Sequence, residues 1–142
     1  MSKLQSILTC LSFVLSLPSC GGHSVTGPTK TVIAQGTCSP LASGDFCTIP
    51  FTTSHAGRVD ITVDWSLPQW AIYVAVAPQA ACTLGQGRSN NCTAIIAATS
   101  LSNAPEPRLL SLVSLAAGSY SMYIFNGGAE SYSASFLLIL TT

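Results

Sequence analysis

Few side chains in this sequence are of types that do chemistry, and their spacing decides what they can do. Asp60 and Asp64 alternate with Val59, Ile61, Val63 and Trp65, which places both carboxylates on one face of a β-strand. Four residues of strand span about 13 Å. Glycosidase carboxylates sit about 5 to 9.5 Å apart, so this pair alone fits neither glycoside hydrolysis nor direct chelation of one cation. The two acids read as solvated charges protecting a sheet edge, with a calcium site completed from another strand as the lesser alternative. His55 lies in the turn Thr53-Ser54-His55-Ala56-Gly57, and serines are abundant. No G-x-S-x-G elbow accompanies it, so His55 reads as structural or exposed and no catalytic residue is assigned. Gly85-Gln86-Gly87-Arg88 is half of a phosphate-binding glycine loop without the helix that would follow it.

Aromatic side chains offer a different chemistry, because exposed rings on a β-sandwich stack against sugars. Trp65 and Trp70 flank the turn Ser66-Leu67-Pro68-Gln69 and share the phase of Val63 and of Ile72 and Val74, respectively. Both therefore suit the core, with Trp70 kept as a candidate ligand contact. Tyr73 and Tyr123 fall out of phase with the core residues and are the better candidates for an exposed contact surface.

The chain holds six cysteines. Cys38 and Cys47 are nine apart and Cys82 and Cys92 ten apart, each pair bracketing a turn-rich stretch, so local pairing is the simplest connectivity. Each bridge would contribute about 2.5 to 3 kcal/mol on the loop-entropy model, and only in an oxidising compartment. Zinc is the competing reading, but CxxC spacing and nearby histidines are missing. No metal and no cofactor are assigned.

These residues must be positioned by a chain of 142 residues with 48% hydrophobic and 7% charged side chains, in which five basic residues balance five acidic ones. That length is one domain, and the neutral balance gives no reason to expect nucleic acid as a partner. Short runs rich in Val, Ile, Thr and aromatics alternate with Gly, Pro, Asn and Ser clusters, the pattern of an all-β sandwich. About eight strands are expected, near Thr31 to Gln35, Phe46 to Thr53, Arg58 to Trp65, Trp70 to Val76, Thr93 to Ala98, Arg108 to Val113, Ser119 to Asn126 and Tyr132 to Leu140. Asn126-Gly127-Gly128-Ala129-Glu130 supplies residues that tolerate positive φ, so the last two strands are expected to form a hairpin. Leu137 and Ile139 make the final strand apolar on both faces, which implies burial on both sides.

The first residues carry an address. Lys3 precedes an apolar run from Ile7 to Leu17, about eleven residues, which matches a secretion signal and is too short to span a bilayer. Leu17-Pro18-Ser19-Cys20 resembles the lipobox of bacterial lipoproteins, although Pro18 departs from the usual small or β-branched residue. The resemblance implies a signal peptide over residues 1–19, lipidation at Cys20, and attachment to a membrane through acyl chains such as palmitate. Ordinary cleavage near Ser19 would instead give a freely secreted protein. Residues 20–28, with His23, read as a flexible tether, leaving 29–142 as the sandwich.

Three segments carry a second resemblance: Gly57-Arg58-Val59-Asp60-Ile61-Thr62-Val63-Asp64-Trp65, then Ile72-Tyr73-Val74, then Leu115-Ala116-Ala117-Gly118-Ser119-Tyr120-Ser121-Met122-Tyr123-Ile124. With Ser131-Tyr132-Ser133-Ala134 they resemble the bacterial pre-peptidase C-terminal domain. That implies a jelly-roll-like sandwich whose last two strands pair. Gln69, Trp70 and Ala71 replace the acidic residues of calcium-binding relatives. The expected protein is a lipid-anchored bacterial envelope module, facing periplasm or exterior, that binds a protein or glycan without catalysis. A carbohydrate-binding module is the alternative, and a small secreted hydrolase a remoter one.

Overall fold

Alternating apolar residues are drawn into strands throughout the computed structural model, which describes residues 27–79, 81–84, 90–92, 94–104 and 106–142. The strands are β1 (Lys30–Leu41), β2 (Phe46–Thr53), β3 (Gly57–Trp65), β4 (Ile72–Pro78), β5 (Cys82–Leu84), β6 (Asn90–Cys92), β7 (Ala97–Ala98), β8 (Arg108–Leu115), β9 (Gly118–Asn126) and β10 (Tyr132–Thr141). One four-stranded sheet has the order β1-β10-β3-β8, a second the order β2-β9-β4-β7, and β5 and β6 form a separate ribbon. Pairing is antiparallel and most successive strands switch sheets, which is the arrangement of a jelly roll.

The expected all-β sandwich of eight strands is therefore present, with the ribbon added. Between the sheets, Val59, Ile61, Val63 and Trp65 of β3 face Ile72, Val74 and Val76 of β4 and Met122 and Ile124 of β9 in one buried cluster. Burying each such side chain stabilises the fold by roughly 1.5 to 3 kcal/mol relative to leaving it in water.

Several expectations are corrected. The last two strands do not form a hairpin: β9 pairs with β2 and β4, whereas β10 pairs with β1 and β3 in the other sheet. Gly127 and Gly128 have no positive φ. Gly128 is a glycine because of close approach, since a Cβ there would lie 2.6 Å from Trp70 Cβ and 2.7 Å from its Cγ, whereas a Cβ on Gly127 would meet the movable tip of exposed Leu101 and lie 3.2 Å from Ala71 O. Asp60 and Asp64 do not guard an edge, since β3 lies between β10 and β8. Leu137 and Ile139 are only half-buried, because their face of β10 is the outer one.

Boundaries also move. β1 runs past Gln35 through two register irregularities because it stays paired along β10. Trp70 precedes β4 rather than opening it, and β7 keeps only Ala97 and Ala98 of the strand expected there. Thr93, Gly85-Gln86-Gly87-Arg88, Cys20, and the expected signal and tether up to residue 26 lie outside the described residues.

The bridge Cys38–Cys47 forms, with Cα atoms 6.1 Å apart. Local pairing across a turn-rich stretch holds, yet Cys38 belongs to β1 and Cys47 to β2, so the bridge staples the two sheets together. In the ribbon, the backbones of Cys82 and Cys92 stand directly opposite each other, the register that a second local bridge requires.

Candidate functional site

Alternation along β2, β9 and β4 turns Phe46, Phe125 and Tyr73 away from the core, and register brings them into one row. Phe46 pairs with Phe125, and Phe125 pairs with Tyr73. The phenylalanine rings lie 4.7 Å apart with a 38° tilt. All three are partly exposed. Two strand spacings of about 4.8 Å make this an aromatic strip roughly 10 Å across the outer face of the second sheet.

At the end of the strip lies a cleft of about 430 Å³ lined by Ser43, Gly44, Phe46, Leu101, Phe125, Asn126, Gly127 and Gly128. No lining residue is charged. Ser43 Oγ donates to Gly128 O at 2.6 Å, which leaves its oxygen lone pairs to accept from a ligand hydroxyl. Gly44, at φ 73°, lets the β1–β2 turn close, and its N–H donates to Asn126 O at 2.9 Å.

Asn126 frames the cleft rather than reading a ligand. Its Nδ2 donates to Leu41 O at 2.9 Å and to Glu130 O at 2.8 Å, while its Oδ1 accepts from Gly128 N at 2.8 Å. The neighbouring loop is held in the same manner. Trp65 Nε1 donates to Trp70 O at 3.1 Å, and Tyr132 Oη donates to Ala71 O at 3.2 Å. Burial pushes the Tyr132 phenol up to about 12.

Of the aromatic contacts expected from sequence, Tyr73 joins the strip. Trp70 does not: it packs partly buried against the core, with its indole against Gly128. Tyr123 is corrected from exposed to buried, at 4% exposure, because the outer face of its sheet is covered there, as at Ala75, Ala77 and Ser121. Phe46 and Phe125 were missed. Their phase was readable, since Phe46 alternates with Ile49 and Phe51 and Phe125 shares the phase of Tyr123, but nothing local showed that three strands align them.

The candidate acids and histidine stand elsewhere. His55 Nδ1 and Ser54 Oγ are 3.0 Å apart, at the opposite end of the sandwich from the cleft. Among the described residues no carboxylate lies within 4.0 Å of His55, and no three His, Cys, Asp or Glu side chains gather to hold a metal ion.

Asp60 accepts from Ser111 Oγ at 2.6 Å and pairs with Arg58 Nε at 2.8 Å. The Ser111 hydrogen bond and the Arg58 guanidinium hold its carboxyl below the ordinary value of 3.8. Glu106 shifts the opposite way, raised by desolvation and by its hydrogen bond and repulsion with Asp64. The signs follow from linkage. Asp60 stabilises the fold above its unfolded value and loses that contribution as pH falls through its lowered folded value, whereas the contribution of Glu106 is lost as pH rises through its raised one. Asp60→Asn is expected to cost roughly 0.5 kcal/mol near neutrality, after solvent screening, and nothing in strong acid. Thermal melts of both proteins from acid to neutral pH check this.

No protein-family model and no curated protein matches the chain. Among solved structures, the crystal structure of the Yersinia pseudotuberculosis-derived mitogen is similar at a TM-score of 0.52 and 12% identity, covering 80% of this chain and 86% of that one. A carbohydrate-binding module of Cellvibrio mixtus lichenase 5A, in complex with cellotriose, is similar at a TM-score of 0.43 and 11% identity, covering 82% and 88%. At these identities the mitogen shows a shared sandwich fold alone.

Proposed function

We propose that the chain is a non-catalytic binding module that takes a neutral glycan along the Phe46–Phe125–Tyr73 strip and into the adjoining cleft. The aromatic row carries this reading. Pyranose rings present apolar C–H faces to aromatic planes, and the Ser43 hydroxyl beside the strip suits sugar hydroxyls. An uncharged lining favours a neutral ligand over a uronic or phosphorylated one.

Placement supports display from a surface. Thr29 and Thr142 exchange backbone hydrogen bonds of 2.8 and 3.0 Å at the end of the sandwich away from the cleft. Along β10, which pairs with β1 from Thr141 to Tyr132, that end lies roughly 30 Å from Leu41. Attachment through the N-terminal tether, by lipid at Cys20, leaves the cleft unobstructed. The protein then serves as an envelope-anchored module, or as a secreted one if Cys20 is not acylated.

Affinity electrophoresis of the purified chain through gels containing soluble β-glucan, xylan or mannan tests the reading. At least one polysaccharide is expected to retard the protein. Tyr73→Ala and Phe125→Ala are each expected to weaken that retardation about tenfold, equivalent to about 1.4 kcal/mol. Passage unretarded through all three gels, or retardation untouched in the double variant, would refute it.

A further inference from the structure

The four edges of the two four-stranded sheets are not equally protected. β1 carries Lys30, Pro40 and two register irregularities, β2 carries Pro50, and β7 is two residues long. Such devices block strand addition. β8 lacks proline and lysine, its one charge, Arg108, is buried at 7% exposure with Nη2 donating to Ser102 O, and its single register irregularity falls after Leu112. Among the described residues no backbone hydrogen bond reaches β8 except from β3. Leu109 and Val113 stand on its outer face at 66% and 83% exposure.

The geometry points to a homodimer in which β8 of one copy pairs antiparallel with β8 of a second. The occupant is this chain because the strand is complementary to itself. Leu109-Leu110-Ser111-Leu112-Val113 reads apolar, Leu, Ser, Leu, apolar about Ser111. A two-fold axis at Ser111 sets Leu109 against the partner's Val113, Leu110 against the partner's Leu112, and the two serines face to face. Each exposed aliphatic side chain thereby gains an aliphatic cross-strand neighbour, and no charge is buried. The extra residue of β8 against β3 lies between Leu112 and Leu115, so Val113 is the last position the seam uses.

So short a seam falls below the roughly 1,200 Å² of stable complexes, which makes assembly weak and concentration-dependent. Antiparallel pairing also points the two clefts in opposite directions, so the dimer presents two binding ends. This inference uses a surface separate from the cleft and stands whether or not a glycan binds.

Sedimentation velocity on the purified chain, from low micromolar to millimolar, tests it. The weight-average mass is expected to rise from monomer toward dimer, and Leu109→Lys with Val113→Lys is expected to abolish the rise without lowering the melting temperature. Ser111→Cys is expected to give a disulfide dimer on mild oxidation, linked at position 111 by peptide mapping. Thr52→Cys, exposed on β2, is expected not to do so. A monomer throughout, a rise that survives the double lysine variant, or equal cross-linking at both positions would overturn the proposal.

Discussion

Replacing Asn126 with alanine is expected to destabilise the sandwich by about 3 to 5 kcal/mol and to dismantle the cleft, the largest single-residue effect foreseen. Asn126 is fully buried, and its amide satisfies Leu41 O, Glu130 O and Gly128 N. Removing the amide strands three backbone groups, each costing about 1 to 3 kcal/mol when water cannot reach it. Those groups belong to the end of β1, the β9–β10 connection and the cleft wall, so one substitution loosens all three. The melting temperature is expected to fall by roughly 10 to 20 °C. Urea unfolding checks the figure, and a loss under 1 kcal/mol would show that the connection holds without the amide.

The second large effect concerns Cys38–Cys47. Cys38→Ser with Cys47→Ser is expected to cost about 2 to 5 kcal/mol. Loop entropy alone accounts for about 2.5 to 3 kcal/mol, and placing a hydroxyl at Cys38, a residue only 6% exposed, adds to it. Because the bridge joins β1 to β2 across the two sheets, amide exchange is expected to rise first in those strands, while β3 and β4 stay protected. A reduced protein as stable as the oxidised one would contradict this.

The pattern of β3 was legible from alternation alone, since Val59, Ile61, Val63 and Trp65 needed no knowledge of partners to be placed inside. Cys38–Cys47 was legible as a pair, yet not as a staple between sheets, because spacing along the chain does not say which sheet each cysteine joins. Asn126-Gly127-Gly128 misled for a related reason. Asn-Gly and Gly-Gly steps favour turns, but here Gly128 makes room for Trp70, a side chain distant in sequence. The strip was half-legible: the phase of Tyr73 marked it, whereas its joining to Phe125 and Phe46 depends on register across three strands. Tyr123 shows the converse, a ring with the right phase on a covered face.

The most direct measurement is a nitrogen–proton NMR titration of the purified chain with a neutral oligosaccharide cut from whichever polysaccharide retards it in the gel. Shift changes are expected to cluster at Ser43, Phe46, Tyr73, Phe125 and Gly127, with Thr37, His55 and Ser135 unmoved. Changes centred on Thr37 and Ser135, on the outer face of the other sheet, or around His55 at the opposite end, would contradict the cleft as the binding site.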